Sequence, residues 1–161
     1  VGLRHTYVAG AEPVPGGVLP GYADADMDGD VENVDAGGSW PSLESTEGPA
    51  GAIVSTAGDL AVFADALFRG RLLRPDTLQQ MVADGPHHPR NGNYGLGVEI
   101  TRPDYRLTVW GHGGFTLGFK SALWYVPEHD VVVVVLANDA GANVADLAEL
   151  VVRAEMARRD A

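Results

Sequence analysis

The hydrophobic pattern changes period twice along this chain. Up to about residue 54 no period holds: VGLRHTYVAG, EPVPGGVLPGY and DAGGSWPSLESTEGP set short apolar pieces among Gly, Pro, Ser and Asp, which is the composition of loops with a hairpin or two. From Ser55 a helical period takes over. In STAGDLAVFADALFRG the apolar residues Leu60, Phe63, Ala64, Leu67 and Phe68 share a face, Thr56 stands at an N-cap position with Asp59 three residues on, and Gly70 stands where a helix would end. RPDTLQQMVADG restarts with Pro75 in a first turn and Asp76 near the positive helix end, predicting a shorter helix that stops near Gly85.

The second change is to a period of two. NYGLGVEI and RLTVWG flank the turn sequence RPDY and are expected to pair as an antiparallel hairpin. GFKSALWYV alternates as a strand, PEHD turns the chain, and VVVVVLAN reads as a strand buried on both faces. GANVADLAELVVRAEMARR then returns to a helix, with Val144, Leu147, Leu150 and Val151 expected on one face and arginines at its negative end. Helices, then an antiparallel sheet, then a terminal helix make an α+β fold and not a βαβ repeat. The expected organisation is one domain: 1–54 loop-rich, 55–85 two helices, 93–137 antiparallel sheet and 142–159 terminal helix.

Composition narrows the function. At 161 residues and 45% hydrophobic the chain has the size and apolar content of one globular domain. Acidic residues outnumber basic ones 22 to 11 and the net charge is -11, so there is no basic stripe for a phosphate backbone and no nucleic-acid partner is expected. No apolar run approaches the roughly 20 residues of a spanning helix, so no membrane span is expected. The absence of cysteine removes disulfides and thiolate nucleophiles. Lys120 is the only lysine, which makes lysine-dependent chemistry easy to check.

The candidate chemistry lies in VWGHGGFTLGFKSALWYVP, Val109 to Pro127, where His112 has glycine on both sides. GHGG is either a turn between two strands or an edge strand on which a substrate lies against glycine backbone with an N–H aimed at a developing oxyanion. A second candidate is DADMDGDVENVD. Asp24, Asp26, Asp28, Gly29, Val31 and Asp35 fit positions one, three, five, six, eight and twelve of a calcium loop. Against metal, position twelve prefers glutamate, no helical pattern flanks the stretch, and a hairpin turn through Asp28-Gly29 accounts for it. The pair His87-His88, between Pro86 and Pro89, reads as an exposed loop.

The ordered succession GPAGAIVSTAGDLAVFADAL, GRLLRPDTLQQMV, NYGLGVEI, GHGGFTLGFKSALWYVP and VVVVVLAND resembles the C-terminal half of the penicillin-binding-protein-like serine hydrolases, which include class C β-lactamases, D-alanyl-D-alanine carboxypeptidases and related esterases. The opening GLRHTYV is similar to the segment that follows their second active-site motif, so the resemblance spans essentially the whole chain. That family uses a Ser-x-x-Lys pair, a Tyr-x-Asn or Ser-x-Asn loop and a Lys-Thr-Gly or His-x-Gly triplet. Only the triplet is here, as His112-Gly113-Gly114, with Gly113 where a hydroxyl residue is usual. The resemblance implies that His112 faces the acyl site, that Phe115 lends its backbone N–H to the oxyanion hole, and that Gly113 and Gly114 bind substrate.

Leu117, not serine, stands three residues before Lys120, and none of the five tyrosines is followed two residues later by asparagine. Ser55 is accounted for by a helix start and Ser121 by strand alternation. The resemblance therefore implies the C-terminal portion of a hydrolase that acts without cofactor, by acyl-enzyme formation, on a small-molecule or peptide substrate such as a D-alanyl peptide, a β-lactam or a small ester, and that is inactive alone. It also implies a bacterial protein, extracytoplasmic or cytoplasmic. As partners it implies the missing N-terminal half of the fold, or a second copy, along the edge strand Val131 to Ala137. A non-catalytic ligand- or partner-binding module and a calcium-stabilised structural domain are the alternatives.

Overall fold

The computed structural model describes residues 1–35, 48–83, 87–88, 92–102, 107–116 and 118–159. Its centre is a six-stranded antiparallel sheet in the order β10-β9-β8-β7-β6-β5, from β5 (His87–His88), β6 (Gly92–Tyr94), β7 (Glu99–Thr101), β8 (Val109–Thr116), β9 (Phe119–Val126) and β10 (Val131–Ala137). Helices α1 (Ala57–Phe68), α2 (Pro75–Met81) and α3 (Val144–Arg159) complete the described core. This is the α+β arrangement that the pattern predicts.

Side chains alternate across the sheet, and the two faces bury separate cores. Toward α3 point Val109, Ala122, Val126, Val131 and Val133, packed on Val144, Ala148 and Val152. Toward α1 lie Tyr125, Trp110, Leu123 and Val132, packed on Ala64 and Phe68. The Phe68 and Tyr125 rings stack with centroids 5.2 Å apart. α1 starts as predicted, with the Thr56 Oγ1 accepting from Asp59 N at 3.2 Å, and ends with Gly70 at φ +71°. A polar clamp fixes its other end: Arg69 Nε donates to Asp130 Oδ1 at 2.7 Å, and Tyr125 Oη donates to the same oxygen at 3.1 Å. Arg69 holds the Asp130 carboxyl below the ordinary aspartate range.

Four expectations need correction. NYGLGVEI is two short strands, β6 and β7, folded back on each other with Tyr94 opposite Glu99; Gly97, at φ +73°, makes the reversal. β7 then pairs with β8 as expected, while residues 103–106 of the connecting turn lie outside the described residues. His87 and His88 pair with Asn93 and Gly92 as a strand rather than forming a loop. β10 is buried only at Val131 and Val133, because it is the last strand of the sheet and its opposite face is only partly covered. In α3 the buried row is Val144, Ala148 and Val152, whereas Leu147, Leu150 and Val151 face outward. The small residues at i, i+4 and i+8 let the helix lie close on the valine strands, and that contact outweighs the larger side chains.

The N-terminal third wraps one end of this sheet. β1 (Tyr7–Val8) pairs with β4 (Ile53–Val54), and β2 (Tyr22–Ala23) pairs with β3 (Glu32–Asn33). Tyr22 N bonds to the carbonyls of Gly118 and Asn138, so the β2–β3 hairpin is tied to the β8–β9 turn and to the end of β10. At Gly118, φ is +81° and an added Cβ would meet the Gly21 backbone at 2.8 Å, so only glycine fits. Helix α2 opens with Pro75 and carries Asp76 in its first turn, as read from the sequence, and ends at Met81.

Candidate active site

GHGG lies inside the eight-residue strand β8 and not in a turn; the last pair of β8 with β9 is Thr116 opposite Phe119. The pairing of β7 with β8 stops at Gly111, opposite Glu99, while β9 accompanies β8 to Thr116. From His112 to Thr116 the strand therefore has a strand neighbour on one side only among the described residues. On its other side this stretch has no strand pairing among the described residues, the kind of edge along which an extended ligand can lie.

The glycines of this segment have different reasons. A Cβ at Gly111 would run into the carbonyl of Leu123, a backbone group that cannot turn away, so this glycine serves the sheet. A Cβ at Gly114 would meet the Ser121 Oγ, the residue opposite it across the strands. At Gly113 the nearest atom, Ser121 O, is 3.8 Å away, an ordinary contact. His112, Gly113, Gly114 and Phe115 are all exposed.

By alternation His112 and Gly114 share the α1 side of the sheet with Trp110, and beside them opens a cavity of about 640 Å³. Its floor is His112 to Thr116 of β8 and Phe119 to Leu123 of β9, with Leu136 and Ala137 of β10. The opposite wall includes His5, Tyr7, Val14, Leu19, Ile53 and Thr56. That wall is braced at the start of α1. Asp59 Oδ2 accepts from His5 N at 2.6 Å and from Thr6 Oγ1 at 2.9 Å, and the Thr6 and Ser55 hydroxyls are 2.8 Å apart. The His5 backbone N–H first, then the Thr6 hydroxyl, holds Asp59 below the ordinary aspartate range although burial opposes it. Ser55 thus belongs to a helix-start network. Phe115 stands at the rim, 72% exposed, with Lys120 Nζ 5.7 Å from its ring centroid.

Sequence reasoning missed Tyr94. Its hydroxyl lies 2.9 Å from His112 Nε2, and the rings meet edge to face with centroids 5.8 Å apart. The signal was the register: Tyr94 is opposite Glu99 and Glu99 is opposite Gly111, which carries the tyrosine to the point where β7 leaves the edge of β8.

Asp24, Asp26 and Asp28 do gather, with one carboxylate oxygen of each within 4.8 Å of the others. Asp35 is not part of that group among the described residues. All three carboxylates cap the loop backbone: Gly29 N donates to Asp24 Oδ2 at 3.1 Å, Asp28 N to Asp26 Oδ1 at 3.3 Å and Asp30 N to Asp28 Oδ1 at 2.8 Å. The loop joins β2 to β3, so its frame is a hairpin. A smaller hollow of about 250 Å³ lies on the α3 side of the sheet, lined by Leu107, Val109, Trp124, Val126, Val152 and Met156 with the ion pair Arg153–Glu149 at its edge.

Solved structures share this architecture. A D-stereospecific amidohydrolase from Streptomyces sp. is 28% identical with a TM-score of 0.74, the match covering 91% of this chain and 42% of that one. A D-amino acid amidase from Ochrobactrum anthropi SV3, crystallised with L-phenylalanine amide, is 25% identical with a TM-score of 0.75, covering 99% and 47%. An octameric penicillin-binding protein homologue from Pyrococcus abyssi, at 19% identity, shares the fold with a TM-score of 0.74, covering 97% and 35%. This chain thus spans less than half the length of these structures. No curated protein sequence matches it. The β-lactamase family model matches residues 1–157, almost the whole chain with the open β8 edge inside it, and on that ground the chain belongs to the β-lactamase family of serine hydrolases.

Proposed function

We propose that this chain is the C-terminal portion of a β-lactamase-family hydrolase and supplies the acyl-binding edge of its active site, the nucleophile lying on polypeptide outside residues 1–161. The observation that carries this reading is the edge of β8, open from His112 to Thr116 beside a cavity, in a chain without Ser-x-x-Lys. A substrate acyl group lies along that edge. A serine supplied from outside attacks its carbonyl, the backbone N–H of Phe115 stabilises the oxyanion, and His112 hydrogen-bonds within the acyl site. Gly113 and Gly114 keep side chains out of the way of a close backbone approach. The reaction requires no cofactor.

Among substrate classes we favour the amide of a D-amino acid over a D-alanyl peptide, a β-lactam or a small ester. Gly113 has no hydroxyl with which to grip the free carboxylate that D-alanyl peptides and penicillins carry, and an amino acid amide has none. The activities named for the two amidase-like structures favour the same class. The partner is the N-terminal half of the fold, docked along β10. This accords with β10 being the last strand of the sheet and with the chain's 42% to 47% share of those structures.

The test is a longer protein in which this chain is preceded by the polypeptide its gene encodes upstream of Val1. It should hydrolyse D-phenylalanine amide, and His112→Ala should lower kcat/KM by about ten- to a thousandfold with the circular dichroism spectrum unchanged. A rate unaffected by His112→Ala would remove the histidine from the mechanism.

A further inference from the structure

Both ring nitrogens of His112 are engaged. Nδ1 lies 2.5 Å from the carbonyl oxygen of Gly113, and Nε2 lies 2.9 Å from the Tyr94 hydroxyl. A carbonyl oxygen only accepts, so the nitrogen facing it carries the proton. In the neutral ring the other nitrogen is then bare, and it accepts from the Tyr94 O–H. The tyrosine backbone is held independently of this bond, because β6 pairs with β7 at Tyr94–Glu99. Tyr94 thus approaches His112 from the side of β8 that β7 has vacated, which is also the side left open to an extended ligand.

We propose that Tyr94 is the positioning residue for His112: with the Nδ1–H tautomer set by the Gly113 carbonyl, the Tyr94 hydroxyl donates to Nε2, fixes the orientation of the ring and occupies that nitrogen until a substrate donor replaces it. The inference rests on the function proposed above, in which His112 faces the acyl group. It changes what the empty site presents. The incoming substrate meets a hydroxyl already bonded to the histidine, so the imidazole enters the reaction with its tautomer and ring orientation set. An orienting carboxylate does the same for an imidazole in other hydrolases, but tyrosine does it without adding negative charge.

Nitrogen NMR of the histidine ring, recorded on the 15N-labelled chain at alkaline pH, reads the tautomer directly. The parent should show His112 protonated at Nδ1 and bare at Nε2. Tyr94→Phe keeps the aromatic ring and removes only the hydroxyl, so the fold should persist, as a conserved amide spectrum would confirm. In that variant Nδ1 should stay protonated against the Gly113 carbonyl, while the bare Nε2 loses its hydrogen-bond donor and its resonance should shift downfield. A parent already in the Nε2–H form, or a Tyr94→Phe spectrum with the parent's His112 shifts, would overturn the proposal.

In the longer, active protein Tyr94→Phe should lower kcat by about tenfold with KM within twofold of the parent, since a misoriented ring still leaves the binding edge intact. If His112→Ala slows that enzyme but Tyr94→Phe leaves kcat unchanged, the pairing proposal fails while the reading of the site stands. If neither change alters the rate, the reading of the site has failed.

Discussion

Three glycines around one histidine look alike in sequence, yet only one of them is demanded by the sheet itself. At Gly111 a methyl group would strike the Leu123 carbonyl in the paired strand, whereas at Gly113 it would find ordinary van der Waals distance. Gly111→Ala should therefore destabilise the chain by about 1–3 kcal/mol in urea unfolding, and Gly113→Ala should stay within about 0.5 kcal/mol of the parent. Equal effects at the two positions would show that the strands are not in this register. The candidate site divides along the same line. His112 and the exposed glycines were legible because their residue types stand out in GHGG. Tyr94 was not, because nothing in NYGLG distinguishes a tyrosine that packs from one that bonds a histidine eighteen residues away. Thr56 at the start of α1 was legible for the opposite reason, since an N-cap is a local arrangement that needs no tertiary information.

Elements were legible where their period was unbroken and misread where packing decided between two faces. α1 and β9 appear as the pattern predicts. The terminal helix also exists as predicted, but its leucines suggested the wrong face. Both Leu147 and Leu150 are outside, at 47% and 61% exposure, and Ala148 is fully buried against the valines of β9 and β10. Hydrophobicity alone ranks leucine above alanine as a core residue. Close approach of a helix to a sheet of β-branched residues reverses that order, because the helix axis can come nearer over a small side chain. Leu150→Ala in this chain should change stability by no more than about 0.5 kcal/mol, while Ala148→Leu should cost about 1–3 kcal/mol through overpacking. Denaturant midpoints of the two variants check this, and a larger loss at Leu150 than at Ala148 would return the helix to the face that its leucines suggest.

At the scale of the whole molecule the chain has a sheet with a hydrophobic cluster on each face and a sequence without a Ser-x-x-Lys pair. Fold class followed from the order of periods, helix then strand then helix, which is a long-range property that survives local misreadings. The sequence offered the open edge of β8 only as one of two readings of GHGG, because it depends on where β7 stops, and the lengths of short strands are set by pairing rather than by their own residues. The absence of Ser-x-x-Lys, by contrast, is plain in the letters. Ser55 is bonded into the start of α1, and Ser121 sits across from Gly114 on the sheet. The central claim is that this chain furnishes the binding edge and another stretch of polypeptide furnishes the serine. Intact mass spectrometry after incubation with a fluorescent penicillin or an activated D-amino acid ester tests it most directly, on this chain and on the longer protein in parallel. The account predicts no covalent adduct on residues 1–161 and one acyl group per molecule of the longer protein, mapped to a serine before Val1. A stoichiometric adduct on this chain alone, at Ser55, Ser121 or any other residue, would contradict it.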